Sequence, residues 1–283
     1  MKTYHKNNNT KFLYIFFVIL SLNIFFFSTV KSESKAFRVD NIEISRSFEI
    51  NFNKNDVIDD GFKKAYFELI SLIVKSSDQK KIDKIKLNEI KGMIESFTIK
   101  EEKFIDEIYY VNLGVIFNKK KIFNYLENKN VFPSIPKKKT FLFLPIIIDE
   151  SKKDLLIFYN NQIFDEWNTN PKKSHLLNYI LPTEDLEELN LLKSKFDNIE
   201  KYDFKEITKK YDLKDSIIAL IFKNQEKLRI LSKINLNENT IIRNQTYENI
   251  NFENQEKIDE LIEDLKLTYE DYWKKENLIN TSI

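Results

Sequence analysis

Thr140-Phe141-Leu142-Phe143-Leu144-Pro145-Ile146-Ile147-Ile148 carries no charged or hydrogen-bonding side chain after its first residue. A strand with water on one face alternates polar and apolar side chains. An unbroken apolar run instead suits a strand covered on both faces, as in sheets layered between helices. Pro145 has no N–H to donate, so it places a bulge or an edge within this strand, and Asp149-Glu150 ends it. Downstream, Ser216–Phe222 reads as a second doubly covered strand, and Leu228, Ile230, Ser232, Ile234 and Leu236 alternate as a more exposed one beside it. Between them, a helix is expected near Ile163–Trp167 and a short buried strand at Tyr179-Ile180-Leu181. Pro182 and Thr183 open a further helix, with Thr183 as cap, Glu184 and Asp185 in the first turn, and Leu186, Leu189, Leu192 and Phe196 facing inward. Asp203 with Glu206 offers another capping arrangement before Ile207. Strands separated by helices predict an α+β fold built of α/β layers.

Upstream, alternation through Phe37, Val39, Ile42, Ile44, Phe48, Ile50 and Phe52 predicts one or two half-buried strands. From Asp56 the period lengthens to that of a helix, through Ile58, Phe62, Ala65, Leu69 and Ile73. A weaker helix is expected over Leu87–Phe97, a strand over Ile108–Phe117, and a short helix through Ile122, Phe123 and Leu126. Pro133, Pro136 and a lysine run mark 131–139 as an extended linker. It separates an N-terminal subdomain (33–130) from a C-terminal one (140–279), each with a small mixed sheet.

The second subdomain closes with a long amphipathic helix. Ile258, Leu261, Ile262, Leu265, Tyr269, Tyr272 and Trp273 trace one face, and Glu270 with Lys274 and Asp271 with Lys275 form i,i+4 pairs outside it. That apolar stripe must be covered. The sheet of its own domain can do so, and so can a partner, which makes these seven residues the candidate partner-binding face.

The N-terminus reads as an export signal. Lys2, His5, Lys6 and Lys11 precede an apolar run from Phe12 to Phe27, followed by Ser28-Thr29-Val30-Lys31-Ser32. This basic, apolar and small-residue layout predicts a signal peptide over 1–32 with cleavage after Ser32. The alternative is an uncleaved anchor, since Phe12–Val30 as a helix reaches ~28 Å against a hydrocarbon core of ~30 Å. Either outcome places the remaining chain outside the cytoplasm, and a membrane is a partner only through this segment.

Composition closes off many mechanisms. The chain has no cysteine, which excludes disulfides and thiolate chemistry, and its three glycines, Gly61, Gly92 and Gly114, cannot assemble a phosphate-binding loop. Its 45 basic and 44 acidic groups nearly cancel. Loss of residues 1–32 removes four lysines and no acid, so nucleic acid is not an expected partner. Lysine-rich, arginine-poor and alanine-poor usage follows A/T-rich codons and says little about binding.

His175 falls in the polar stretch Pro171–Leu176 and reads as a surface histidine, without a serine or cysteine elbow nearby to activate. Asp149-Glu150, Asp165-Glu166 beside Trp167, and Glu184-Asp185 with Glu187-Glu188 are the carboxylate clusters from which a glycosidase pair would have to come. Helix starts and strand ends already account for them. Trp167 and Trp273 lie on apolar helix faces, as core residues do. No catalytic, cofactor or metal site is predicted.

Several short motifs carry a resemblance over roughly residues 37–275. They are Tyr110-Val111-Asn112 leading to Val115-Ile116-Phe117, Phe143-Leu144-Pro145 with Asp149, Trp167, Leu181-Pro182 with Asp185-Leu186, and Trp273-Lys274. In their order and spacing the chain resembles an exported proteobacterial family, domain of unknown function 2066. Its second half is similar to small α/β envelope domains such as the N-terminal domain of the Tol translocation protein and the middle domain of flagellar assembly protein T. The resemblance implies an interaction role in the periplasm and carries over no catalytic residue. The expectation is a non-enzymatic binding or assembly module with an envelope protein as partner; a carboxylate-dependent hydrolase of cell-wall glycan and an anchored scaffold are the alternatives.

Overall fold

The structure, a computed structural model, describes residues 37–169, 175–224, 227–248, 250 and 252–279; the predicted signal segment lies outside them. Helices and mixed sheets make an α+β protein, and the chain divides into two compact units. One holds the described chain up to Leu69 together with Lys84–Asn130; the other holds Ile70–Asp83 and everything from Val131 onward. The connector 131–139 and the segment Ile70–Asp83 thus both belong to the second unit.

In the first unit, β1 (Arg38–Ser47), β2 (Ile94–Ile105) and β3 (Ile108–Phe117) form an antiparallel sheet in the order β1-β3-β2. Asp106 and Glu107, with φ of 48° and 61°, make the two-residue turn between β2 and β3, the mirror-image type whose twist suits a hairpin. Val111, Leu113, Val115 and Phe117 alternate inward along β3. Over them lies α1 (Lys54–Ile73), burying Val57, Ala65, Tyr66 and Leu69. Gly61 permits this close approach, because a Cβ there would overlap Leu113 Cδ1 and lie 3.7 Å from Ile44 Cγ1. After α2 (Ser76–Gln79), a helix of the second unit, α3 (Leu87–Met93) is shorter than expected, since the chain turns into β2 at Ile94. β2 leaves little trace in the sequence. It is an exposed edge, and irregularities at Ile94/Ser96 and Ile99/Glu101 shift its side-chain phase. The unit closes with α4 (Lys119–Asn128), where the Asn118 side chain accepts from Lys121 N at 3.1 Å.

The second unit has three layers. β4 (Lys139–Asp149) and β7 (Ser216–Asn224) run parallel at the centre of a six-stranded sheet ordered β5-β4-β7-β8-β9, with β6 pairing β4 in parallel beside β5. Phe141, Phe143, Ile147, Ile217, Ala219 and Ile221 pack on one face with α5 (Gln162–Glu166) and α8 (Gln255–Glu276). On the other, Leu144, Ile146, Ile148, Ile218 and Leu220 pack against α6 (Leu186–Ser194), a 3-10 turn (Phe196–Lys201) and α7 (Lys205–Lys209). Both central strands are covered on each side, as their apolar runs require. Pro145 makes an edge and no bulge. Pairing with β7 is continuous from Leu142 to Asp149, while β6 (Leu177–Ile180) ends opposite Leu142 and β5 (Asp154–Leu156) begins opposite Ile147. The Pro145 carbonyl in this gap accepts from Asn161 Nδ2 at 3.0 Å.

Other expectations are corrected here. β6 is only half buried, and Asp185, not Thr183, caps α6, accepting from Glu187 N and Glu188 N at 2.8 and 3.2 Å. Leu186 is 77% exposed, because the helix starts one residue after the cap and its inner face begins at Leu189. β8 (Lys227–Leu236) is largely buried, since β9 (Asn239–Tyr247), a polar edge strand, covers its far side.

Filling the contact at Gly61 tests the first unit. Gly61→Val is expected to lose about 1–3 kcal/mol of stability through overpacking against Leu113, read as a lower denaturation midpoint in urea.

Candidate functional site

α8 was expected to hold a partner-binding face, and the structure corrects this. Ile258, Leu261, Ile262, Leu265, Tyr269 and Trp273 belong to the second unit's core, and half-buried Tyr272 packs against it. Their own sheet covers the stripe. Trp167 stacks on Phe143 with ring centroids 3.7 Å apart, and Trp273 Nε1 donates to the Lys137 carbonyl at 2.7 Å, so neither indole is free to take a sugar.

Charge on α8 is also turned inward. Glu270 and Lys274, expected outside the apolar face, are 1% and 0% exposed. Lys274 Nζ donates to the carbonyls of Ser71, in the last turn of α1, and of Val74, and lies 3.6 Å from Glu270 Oε2. Carbonyls at a helix C-terminus lack intrahelical partners and favour a cation, which explains a lysine at this position. Glu270 Oε1 accepts from the Leu176 and Leu177 N–H groups and lies 3.2 Å from His175 Nδ1. His175 is therefore no surface histidine: its side chain, 8% exposed, lies between Glu270 and Glu263, whose Oε2 is 3.4 Å from Nε2. Asp271 bonds Ser76 N and Oγ at 2.8 and 2.5 Å, not Lys275. Burial by itself raises the Glu270 carboxyl, yet His175, Lys274 and the Leu176 N–H together hold it below the ordinary range. Burial pushes Lys274 below the usual lysine range against the pull of Glu270 and Asp271.

Each acidic cluster has a member tied up locally. Asp149 Oδ1 accepts from Ser151 Oγ, Ser151 N and Lys152 N at 2.5, 3.1 and 3.0 Å, and Asp185 caps α6. Asp154 pairs with Lys193 at 2.9 Å, Glu188 with Lys210 at 2.8 Å, and Glu166 Oε2 accepts from Thr169 Oγ1. Ser151 holds Asp149, Lys193 holds Asp154, and the Glu188 N–H with Lys210 holds Asp185, all below the ordinary carboxylate range. A glycosidase acid needs the opposite displacement. Among the described residues no group of three or more His, Asp or Glu is placed to hold a metal ion, and no helix is long and apolar enough to cross a membrane.

Exposed apolar surface gathers instead at the β2–β3 end of the first unit. Phe48 and Phe104 are 53% and 57% exposed with ring centroids 4.9 Å apart. Phe52 extends this cluster, 4.8 Å from Phe48 and 5.2 Å from Tyr109. Phe97, Ile99 and Ile105 on the β2 edge are exposed as well. Aromatic side chains that keep half their surface in water carry an unfavourable hydration term that a docking surface would relieve. Alternation through Phe48, Ile50 and Phe52 was visible in the sequence; their clustering with Phe104 depends on the hairpin.

Two outcomes are expected for the α8 network. Lys274→Met should cost about 3–5 kcal/mol in chemical denaturation, as removal of one member of a buried pair does. Ionised Glu270 binds fewer protons folded than unfolded, so its contribution is present above the unfolded carboxyl value near ~4.3 and is lost as pH falls through the lower folded value. Glu270→Gln should therefore flatten the fall in thermal midpoint below about pH 4. In comparison with known proteins, no family model matches the chain and no curated protein matches it.

Proposed function

We propose that the protein is an exported component of the cell envelope that acts by binding another envelope protein and not by turning over a substrate. The observation that carries this reading is the exposed aromatic end of the first unit, where Phe48 and Phe104 meet at the β2–β3 hairpin end of the sheet. Aromatic side chains are enriched at the centres of protein-docking surfaces. The basic and apolar leader over residues 1–32 supports export. Asp149, Asp154 and Asp185, held low by a turn, an ion pair and a helix cap, are poor general acids, which favours binding over hydrolysis.

Photocrosslinking in cells tests both parts. A photoreactive residue at Phe104 is expected to trap a discrete envelope protein, while the same residue at Tyr159, 79% exposed in the second unit, traps none. Intact mass of the extracytoplasmic product should begin at Glu33, or at Met1 if the leader is retained as an anchor. Full-length chain free in the cytosol, or identical adducts from both positions, would overturn the proposal.

A further inference from the structure

A groove of about 400 Å³ opens in the second unit among α2, β9 and α8. Lys75, Arg243 and Lys275 line it together with Asp264 and Asp271. Two polar atoms along β9 are buried there without a hydrogen-bond partner among the described residues: Arg243 Nε, a donor, and Gln245 Oε1, an acceptor. Buried orphans are uncommon in folded proteins, and one of each kind on one groove calls for a ligand offering the complementary pair.

Neighbouring bonds fix how both groups point. Arg243 Nη1 donates to Tyr272 Oη at 3.3 Å, so that bond does not use the Nε–Nη2 pair, the pair whose spacing matches two carboxylate oxygens. Tyr247 Oη donates to Asp264 Oδ2 at 2.6 Å and so must accept from Gln245 Nε2 at 2.9 Å. This chain sets the amide with Nε2 on Tyr247 and Oε1 as the acceptor left unpaired. Lys275 is exposed and has no ion-pair partner among the described residues, whereas Lys75 is paired with Asp78 at 3.4 Å.

The mixed charge decides the ligand class. A phosphate or simple dianion meets Asp264 and Asp271, and an amine alone meets three cations. A molecule with a carboxylate next to an ammonium satisfies both, and the volume fits an amino acid or dipeptide. We propose that the groove binds a small zwitterion of the α-amino-acid type, its carboxylate on Arg243 and Lys275 and its ammonium on Gln245 Oε1 and Asp264. This site lies in the second unit and does not depend on the aromatic end of the first.

Calorimetric titration of the purified full chain tests it with L-alanine, L-alanyl-L-alanine, propionate, ethylamine and inorganic phosphate as probes. One of the two zwitterions is expected to bind, with propionate, ethylamine and phosphate at least about tenfold weaker. Arg243→Gln and Lys275→Glu should each weaken the zwitterion by about tenfold or more, and Lys152→Glu, far out in solvent, should not. Because Lys275 is exposed, its substitution separates loss of binding from loss of fold. Absence of binding by both zwitterions, equal binding of propionate or phosphate, or unchanged affinity in Lys275→Glu would overturn the assignment.

Discussion

Lys274 is the charge around which the second unit is arranged. An ammonium with no exposure to water must have acceptors, or it costs several kcal/mol. It takes the Ser71 and Val74 carbonyls and leans on Glu270, one turn earlier on α8. Glu270 in turn receives two backbone N–H groups at the start of β6 and the His175 ring. Two side chains thereby gather the segment after Leu69 and the loop entering β6 onto one helix. Trp273, between them in sequence, adds the connector through Lys137. Solvated pairs such as Lys257 with Glu260 contribute about 0–1 kcal/mol and organise nothing comparable.

This arrangement determines which surfaces are left for function. With its apolar stripe against the sheet and its inner charges against Ser71 and Leu176, α8 offers outward only its polar positions. Lys275 and Tyr272 end up beside β9, where Arg243 and Gln245 complete a polar groove. The first unit differs because α1 covers one face of a three-stranded sheet and β2 remains an edge with aromatic side chains in water. The proposed docking surface and the proposed small-molecule groove thus fall on different units by the same rule: surface not consumed by folding is what remains to bind.

The sequence showed elements whose burial is unambiguous and hid those whose burial is partial. β4 and β7 could be read from their apolar runs, and α1 and α8 from their helical period, because burial on two faces or one full stripe leaves a dense pattern. β2 and β9 are edge strands with few or no buried side chains, so little selects for alternation, and bulges in β2 blur what there is. The α8 stripe was visible, but not what covers it. Glu270 and Lys274 have the spacing of a solvated pair, and nothing local distinguishes that from a buried one.

By itself the sequence determined the fold class, the doubly covered central strands, the amphipathic last helix and the absence of cysteine chemistry. Those follow from side-chain polarity and from spacing along one segment, which are local quantities. Tertiary structure alone decided that the α8 face is core, that His175 is enclosed by two glutamates, that Phe48 meets Phe104, and that Arg243 and Gln245 border Lys275. Each of these joins residues far apart in the chain. Contacts of that kind are set by how layers pack, and no periodicity within a single element encodes them.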